Sequence, residues 1–206
     1  TIQFIKSFAS VPEVTMTDSN HVSTEQFTFK AETKQLLNIL IHSLYKDREV
    51  FLRELLSNAS DALNRLRFEM VTNQNVLDPT AELSIHITAD KEKRTLTITD
   101  TGIGMTREEV IENLGTIAQS GARKFIEATK DKQVDFAQVI GQLGVGFYSV
   151  FMVAESVKVT SRSYRPEAES VTWYATGEDN YTVGVGDMTE RGTRIGVFNR
   201  AAGPSS

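Results

Sequence analysis

The stretch "FLRELLSNASDALNRLR", residues 51–67, decides how the rest of the sequence is interpreted. Its polar residues Glu54, Asn58 and Asp61 lie four and then three positions apart, so at about 3.6 residues per turn they share one stripe of a helix. The opposite side is apolar and consists of Leu52, Leu55, Ala59, Leu63 and Leu66. A polar stripe of this kind faces either water or a ligand, and the flanking sequence has to decide which.

Composition limits the possible partners. The chain has 206 residues, 40% of them hydrophobic and 24% charged, which suits one globular domain with a sizeable core. Its net charge of -5 gives no general attraction to nucleic acid or to anionic membranes, and no apolar run approaches the ~18 residues of a membrane span. Cysteine is absent, which excludes disulfides and thiolate metal sites, and the three histidines lie far apart. We therefore expect neither nucleic acid nor membrane as a partner.

Hydrophobic periodicity predicts an α/β protein. Two helices come first, at 32–45 and 51–67, and a hairpin follows in which "LSIHIT" and "TLTITD" alternate with Leu83, Ile85, Ile87, Leu96 and Ile98 on one face. Thr106 and Glu109 form a capping-box signature that predicts a helix beginning near Thr106. The run "VGFYSVFMVA" predicts an apolar helix, and three strands follow in "SVKVTSRS", "SVTWYAT" and "TRIGVF". These elements indicate a two-layer sandwich with a mostly antiparallel sheet and helices on one face.

Two glycine clusters flank a polar helix. In "GQLGVGF", residues 141–147, backbone N–H groups could approach an anion closely, although a tight packing corner would look the same. In "DTGIGM", residues 100–105, a carboxylate at a strand end could accept a hydrogen bond from an amine such as adenine N6. The P-loop and Rossmann glycine signatures are absent. The order of the polar stripe, "DTGIGM", "GQLGVGF" and finally Gly192-Thr193 favours a nucleotide site of another kind.

This ordered set resembles the GHKL ATPases, and within them the heat-shock protein 90 chaperones. The words that carry the resemblance are "IHSLYKDREVFLRELLSNASDALNRLRF", "TDTGIGMT", "NLGTIAQSGARKF", "IGQLGVGFYSVFMVAESVKVTSR" and "ERGTRI". They resemble the amino-terminal domain of that family from about Glu25 to Phe198.

The resemblance implies a Bergerat fold, which has an eight-stranded sheet backed by helices, with ATP between the two layers under a mobile lid. The implied organisation is a flexible or strand-exchanging N-terminal extension at 1–24, an ATP-binding domain at 25–198 with its lid at about 113–146, and a C-terminal tail at 199–206. The native start could also lie at Met16, with residues 1–15 upstream of it.

The resemblance also implies site roles by motif position. Glu54 would be the general base for water, Asn58 would hold Mg²⁺, and Asp100 would bind adenine N6 with help from Thr193 through water. The remaining implied residues are Gly104 and Met105 in the base pocket, Asp61 beside the nucleotide, Asn113 and Leu114 at the ribose and rim, and Gly144, Val145, Gly146 and Phe147 around the phosphates.

Two positions depart from the family pattern. Gln119 stands where many members have Lys in "IAKSG", so one cation near the phosphates is missing. Leu143 stands where the more usual residue of "GQFGVGF" is Phe, which preserves an apolar contact with less surface. We expect from these departures a slightly altered lid rather than lost binding.

The expected function is that of the ATP-binding and ATP-hydrolysing domain of a heat-shock protein 90 chaperone, with ATP or ADP and Mg²⁺ as ligands and slow turnover in isolation. The resemblance further implies client proteins, co-chaperones and homodimers for a longer chain, a monomeric isolated domain, and a cytoplasmic location with mitochondria or plastids as alternatives. Two other functions stay open, namely a DNA topoisomerase or mismatch-repair ATPase and a nucleotide sensor that does not hydrolyse.

Overall fold

The computed structural model describes residues 2–4, 24–42, 49–115, 124–127, 140 and 145–200. The helices are α1 (Ala31–Ile41), α2 (Val50–Thr72), α3 (Arg107–Gly115) and a 3₁₀ helix (Gly146–Met152). The strands are β1 (Ile2–Phe4), β2 (Glu25–Thr28), β3 (Ile85–Asp90), β4 (Thr95–Asp100), β5 (Ala154–Arg162), β6 (Val171–Ala175), β7 (Asn180–Val185) and β8 (Gly192–Asn199). Among these described segments, no helix is both long enough and apolar enough to cross a membrane.

All eight strands form one sheet in the order β1-β3-β4-β8-β5-β6-β7-β2. β1 pairs with β3 in parallel at one edge, and every other pairing is antiparallel. The predicted α/β fold with a mostly antiparallel eight-stranded sheet is therefore confirmed. β1 lies inside the stretch assigned above to the N-terminal extension, while the other strands lie between Glu25 and Asn199.

The core lies between one face of the sheet and the helices. Every second residue of the central strands is buried on this face, as in Ile98 of β4, Val159 of β5 and Ile195 of β8. α2 contributes Leu55, Ala59 and Leu66 to the buried interior. The predicted apolar side of α2 thus packs inward, and its polar stripe is directed away from the core.

The capping box at the start of α3 is confirmed. The backbone N–H of Thr106 donates to Glu109 Oε2 at 2.8 Å, and the N–H of Glu109 donates to Thr106 Oγ1 at 3.3 Å. This reciprocal pair starts α3 immediately after the glycine turn at 101–105, so it limits where that turn can lie.

The structure corrects the order and number of strands that hydrophobic periodicity alone predicted. β1 and β2 precede the helices, whereas the periodicity placed two helices first. β2 is an edge strand with only Phe27 half-buried, so it has no alternating pattern to detect. The last part of the chain has four strands rather than three, because β7 was missed. β7 has a glycine at 184 and is held by pairing with β6 on one side and β2 on the other, which local sequence does not reveal.

Two smaller predictions also need correction. The apolar run after the second glycine cluster is a 3₁₀ helix, with the N–H of Tyr148 donating to the Val145 carbonyl three residues earlier. The Ser149 hydroxyl donates to the Gly146 carbonyl at 2.6 Å, a local bond that competes with α-helical pairing. Leu83 precedes β3 and packs in a second small cluster with Leu66, Val76 and Tyr164 rather than in the main core.

We predict that Leu55→Ala destabilises the fold by roughly 2–5 kcal/mol, because Leu55 is fully buried where α2 meets the core. The free energy of unfolding from urea titration measures the effect. Ser60→Ala on the exposed side of α2 is the matched control, and it should change that free energy by less than about 0.5 kcal/mol. Equal effects of the two variants would contradict the packing described here.

Candidate functional site

Three polar side chains lie side by side across the end of the apolar sheet face. Asp100 on β4 is paired with Thr193 on β8, and Thr193 is paired with Ser161 on β5. Each continues the inward alternation of its strand, and they are only 4%, 8% and 0% exposed, respectively. We call these three residues the polar row. A buried polar row at the end of an apolar face is costly unless its groups are hydrogen-bonded.

Asp100 is the charged member of the polar row. One of its carboxylate oxygens accepts a hydrogen bond from the backbone N–H of Gly102 at 2.8 Å. Burial raises the pKa of this carboxyl to about 7, and hydrogen bonds from the backbone N–H groups of Gly102 and Thr193 only partly oppose the shift. A carboxyl in this state is poised to gain from a ligand that donates a hydrogen bond to it.

Ser161 is the hydrogen-bonding centre of the polar row, and none of the motifs pointed to it. Its hydroxyl accepts from the backbone N–H of Met105 at 2.9 Å, donates to the carbonyl of Gly192 at 3.0 Å, and meets the Thr193 hydroxyl at 2.8 Å. The signal was available in the alternation Val157, Val159, Ser161, which replaces an expected apolar residue by a hydroxyl.

The glycine turn after Asp100 is fastened to α2 and to the end of β5. The N–H of Ile103 donates to the Ala62 carbonyl of α2 at 3.1 Å, and the Ile103 carbonyl accepts from the N–H of Tyr164 at 2.8 Å. Gly104 has φ +61 and lies so close to β5 that a Cβ would be 1.8 Å from the Arg162 carbonyl oxygen. Glycine is therefore required here, and the predicted base-pocket position of Gly104 lies beside the polar row.

Arg191 also holds this turn in place, and the sequence motifs did not point to it. It is 1% exposed, and its guanidinium donates to the Thr101 carbonyl at 2.7 Å and to the Ala81 carbonyl at 3.3 Å. Burial lowers the pKa of Arg191, while the carboxylates of Asp78 and Glu190 act in the opposite direction. The "ERGTRI" motif therefore supplies both Thr193 of the polar row and the cation that holds the turn next to it.

The other end of the site lies at the start of α2. Glu54 is 15% exposed at its side chain, and a Cβ on Gly146 would lie 2.5 Å from its Oε2, so the carboxylate and the glycine backbone are in direct contact. The guanidinium of Arg53 also reaches Glu54 Oε1 at 3.3 Å. Glu54 and Ala62 are eight residues apart, which corresponds to about 12 Å along the helix axis. Asn58 lies midway between them, and its side chain is exposed.

The structure locates the other predicted residues with mixed results. Asp61 is exposed on α2. The amide of Asn113 reaches the sulfur of Met105 at 3.9 Å, so the predicted ribose-side residue and the predicted base-pocket residue lie together. The side chains of Leu114 and Val145 are in the core, Phe147 packs against it, and the Leu114 carbonyl accepts from the Tyr148 hydroxyl at 2.7 Å. Gly144, Gln119, Leu143 and most of the predicted lid at 113–146 lie outside the described residues.

Residues 45–184 match the sequence model of a family described as "Histidine kinase-, DNA gyrase B-, and HSP90-like ATPase". The chain belongs to this ATPase family. The match covers more than half of the 206 residues and includes both α2 and the turn at 101–105. The predicted GHKL-type ATPase domain is thereby confirmed, and so is the family resemblance inferred from the motifs.

Individual proteins similar to this chain share one name. The chain is 50% identical over 175 residues to "Chaperone protein HtpG" of Chlorobium chlorochromatii, covering 84% of this chain and 28% of that protein. It is 51% identical over 178 residues to the protein of the same name from Halorhodospira halophila, covering 86% and 28%. The corresponding figures for Yersinia pestis are 51% over 173 residues, 84% and 28%. The chain therefore spans about 28% of the length of these relatives.

We predict that Asp100 makes stability fall as pH rises. Because its pKa is raised to about 7 in the fold, the native state holds a proton that the unfolded state releases at lower pH. Between pH 5.5 and pH 8 this group should cost about 2 kcal/mol of unfolding free energy. Asp100→Asn removes the titration. The free energy of unfolding of the wild type minus that of the variant should therefore fall by about 2 kcal/mol from pH 5.5 to pH 8. Both proteins are unfolded in urea at each pH, so the contributions of the other titrating groups cancel in the difference between them. A difference in unfolding free energy that does not change with pH would contradict the assignment.

Proposed function

We propose that this chain binds ATP and ADP in a cleft running along α2 from the polar row to Gly146, and that it hydrolyses ATP slowly. The polar row is the observation that carries the proposal. A buried carboxylate and a buried hydroxyl, set beside a glycine turn, suit the amino edge of a purine. The helix alongside bears a carboxylate, Glu54, and an amide, Asn58, on the side left free by the core.

At the adenine end, Asp100 would accept a hydrogen bond from the exocyclic amine, with Thr193 contributing through water. Gly104 and Met105 would line the base, and Asn113 and the backbone at Leu114 would lie toward the ribose. The bond from the Met105 N–H to Ser161 supports this arrangement, because it ties the base-pocket turn to the polar row. Asp61 would border the nucleotide from α2.

At the phosphate end, the backbone of residues 144–147 would surround the phosphates, and Glu54 would accept the proton of the attacking water. The contact between Glu54 and Gly146 supports this role, since it puts a carboxylate next to the backbone expected to face the phosphates. No covalent nucleophile is needed, because phosphoryl transfer to water depends mainly on positioning and on neutralising charge.

Mg²⁺ is part of the proposal. Among the described residues, no group of three or more His, Cys, Asp or Glu side chains could hold a metal ion. Mg²⁺ brought with the nucleotide keeps several waters and needs few protein ligands. The exposed amide oxygen of Asn58 is a ligand of the right kind. When bound, the ion would neutralise phosphate charge, and the chain's own contribution would be to orient the nucleotide beside Asn58.

For the whole protein we propose a chaperone related to HtpG, which would use the nucleotide cycle of this domain to act on client proteins. Co-chaperones, a homodimer formed through the longer chain, a monomeric isolated domain and a cytoplasmic location are parts of the same proposal. The relatives named above are all chaperones, which favours this function over a DNA topoisomerase or mismatch-repair ATPase. They lend no support to a mitochondrial or plastid location.

The adenine assignment predicts that Asp100→Asn weakens ADP binding about ten- to a hundredfold, because a charged hydrogen-bond acceptor is lost. Isothermal titration calorimetry with ADP and Mg²⁺ at pH 8 measures the dissociation constant. Asp90→Asn is the matched control, since Asp90 ends β3 with its side chain 40% exposed, and it should bind as the unaltered chain does. Absence of ADP binding, or equal binding by both variants, would refute the proposed site.

The base assignment predicts that Glu54→Gln leaves ATP binding within about threefold while lowering hydrolysis at least a hundredfold, because the amide cannot take the proton of water. Single-turnover release of labelled phosphate measures the step. Glu69→Gln, on the same helix but bonded to Asn73 and Tyr164, should keep the unaltered rate. Unchanged hydrolysis in Glu54→Gln would remove Glu54 from the mechanism. If the unaltered chain binds ATP and never hydrolyses it, a nucleotide sensor is the better description.

A further inference from the structure

Three hydrogen bonds at Ser161 can be satisfied together by only one arrangement of the hydroxyl protons of Ser161 and Thr193. The backbone N–H of Met105 can only donate to Ser161, and the carbonyl of Gly192 can only accept from it. The single proton of the Ser161 hydroxyl is therefore committed to Gly192. In the arrangement that satisfies all three contacts, Thr193 is therefore the donor in the 2.8 Å bond between the two hydroxyls.

Thr193 is consequently left without a proton for a ligand. Its hydroxyl oxygen keeps lone pairs that can accept a hydrogen bond, and its neighbour in register, Asp100, also accepts when ionised. Two acceptors thus stand side by side in a buried setting. A ligand group or a water molecule that meets both of them has to donate, because an unpaired acceptor opposite buried acceptors is strongly unfavourable.

We propose that Ser161 is a specificity-determining positioning residue, which holds the Thr193 hydroxyl as an acceptor so that the site takes a purine with an amino group at C6 and rejects one with a carbonyl there. This inference rests on the proposed nucleotide function and adds to it the residue that sets the direction of the hydrogen bonds. Ser161 does not have to touch the base for this, since it acts through Thr193.

Burial makes this arrangement stable. Ser161 is 0% exposed, and its one donor and two acceptor positions are all used in this arrangement, so any other orientation of its hydroxyl gives up a hydrogen bond that water cannot replace. With Ser161 removed, the Thr193 hydroxyl would be free to rotate and could donate to a carbonyl at C6. A purely structural serine would affect stability alone, whereas a positioning serine must also affect the choice of base.

The test compares three nucleotides by calorimetry at pH 8.5, where Asp100 is mostly ionised because its pKa is about 7. The probes are ADP, inosine diphosphate with a carbonyl at C6, and purine riboside diphosphate with only hydrogen at C6. The unaltered chain should bind ADP at least about a hundredfold more tightly than inosine diphosphate. It should also bind inosine diphosphate more weakly than the unsubstituted purine, because a carbonyl facing two acceptors is worse than no group.

Ser161→Ala should lower the ratio of the inosine diphosphate to ADP dissociation constants roughly tenfold, the effect of one redirected hydrogen bond. Ser161→Thr keeps the hydroxyl and should keep the ratio. Ser163→Ala is the matched control, because Ser163 is equally buried near the end of β5 but bonds to Arg165 rather than to the polar row. Melting temperatures, measured in parallel, separate stability from specificity.

An unchanged ratio in Ser161→Ala that still binds ADP would overturn the role of Ser161 and leave the nucleotide site intact. If Ser161→Ala does not fold, Ser161→Cys provides the weaker hydrogen-bonding group in a similar volume, with the same expected fall in the ratio. The unaltered chain alone also tests the inference, since it fails if inosine diphosphate binds as well as the unsubstituted purine. Absence of ADP binding by the unaltered chain would instead refute the proposed function.

Discussion

The packing of α2 against the sheet is the constraint on which the site depends. Leu55, Ala59 and Leu66 are held in the interior, so the helix cannot rotate without exposing them, and the polar stripe must point away from the core. In the same helix, the Ala62 carbonyl accepts a hydrogen bond from the Ile103 N–H, and the Glu54 carboxylate contacts Gly146. The single helix α2 therefore fixes the positions of both ends of the candidate cleft.

The polar row shows how a sheet that is otherwise apolar on one face can carry chemistry. Its members occupy inward positions that could have extended the core, and each is instead held by specific hydrogen bonds. Burial leaves the Asp100 carboxyl with a pKa of about 7, so folding disfavours its ionised form. Sites of this kind give up stability for the ability to bind a donor group strongly.

Much of the fold was predictable because local patterns and global packing agree. The alternation in β3, β4, β5, β6 and β8, the helical spacing of α1 and α2 and the capping box of α3 all correspond to structure. The errors occurred where pairing partners override local preference. β2 is an edge strand paired with β7, which is distant in sequence, and β7 lies between β6 and β2. The 3₁₀ helix at Gly146 carries the local Ser149–Gly146 bond, which hydrophobic periodicity does not reveal.

By itself, the sequence determined the residue types, the order of the motifs and hence the ATPase family, because these are properties of short words and their spacing. It could not determine which distant residues share a row, since Asp100, Ser161 and Thr193 are brought together only by the register of β4, β8 and β5. For the same reason Ser161 and Arg191 were missed. Each acts through backbone groups of another segment, and such hydrogen bonds exist only once the sheet and α2 are in contact.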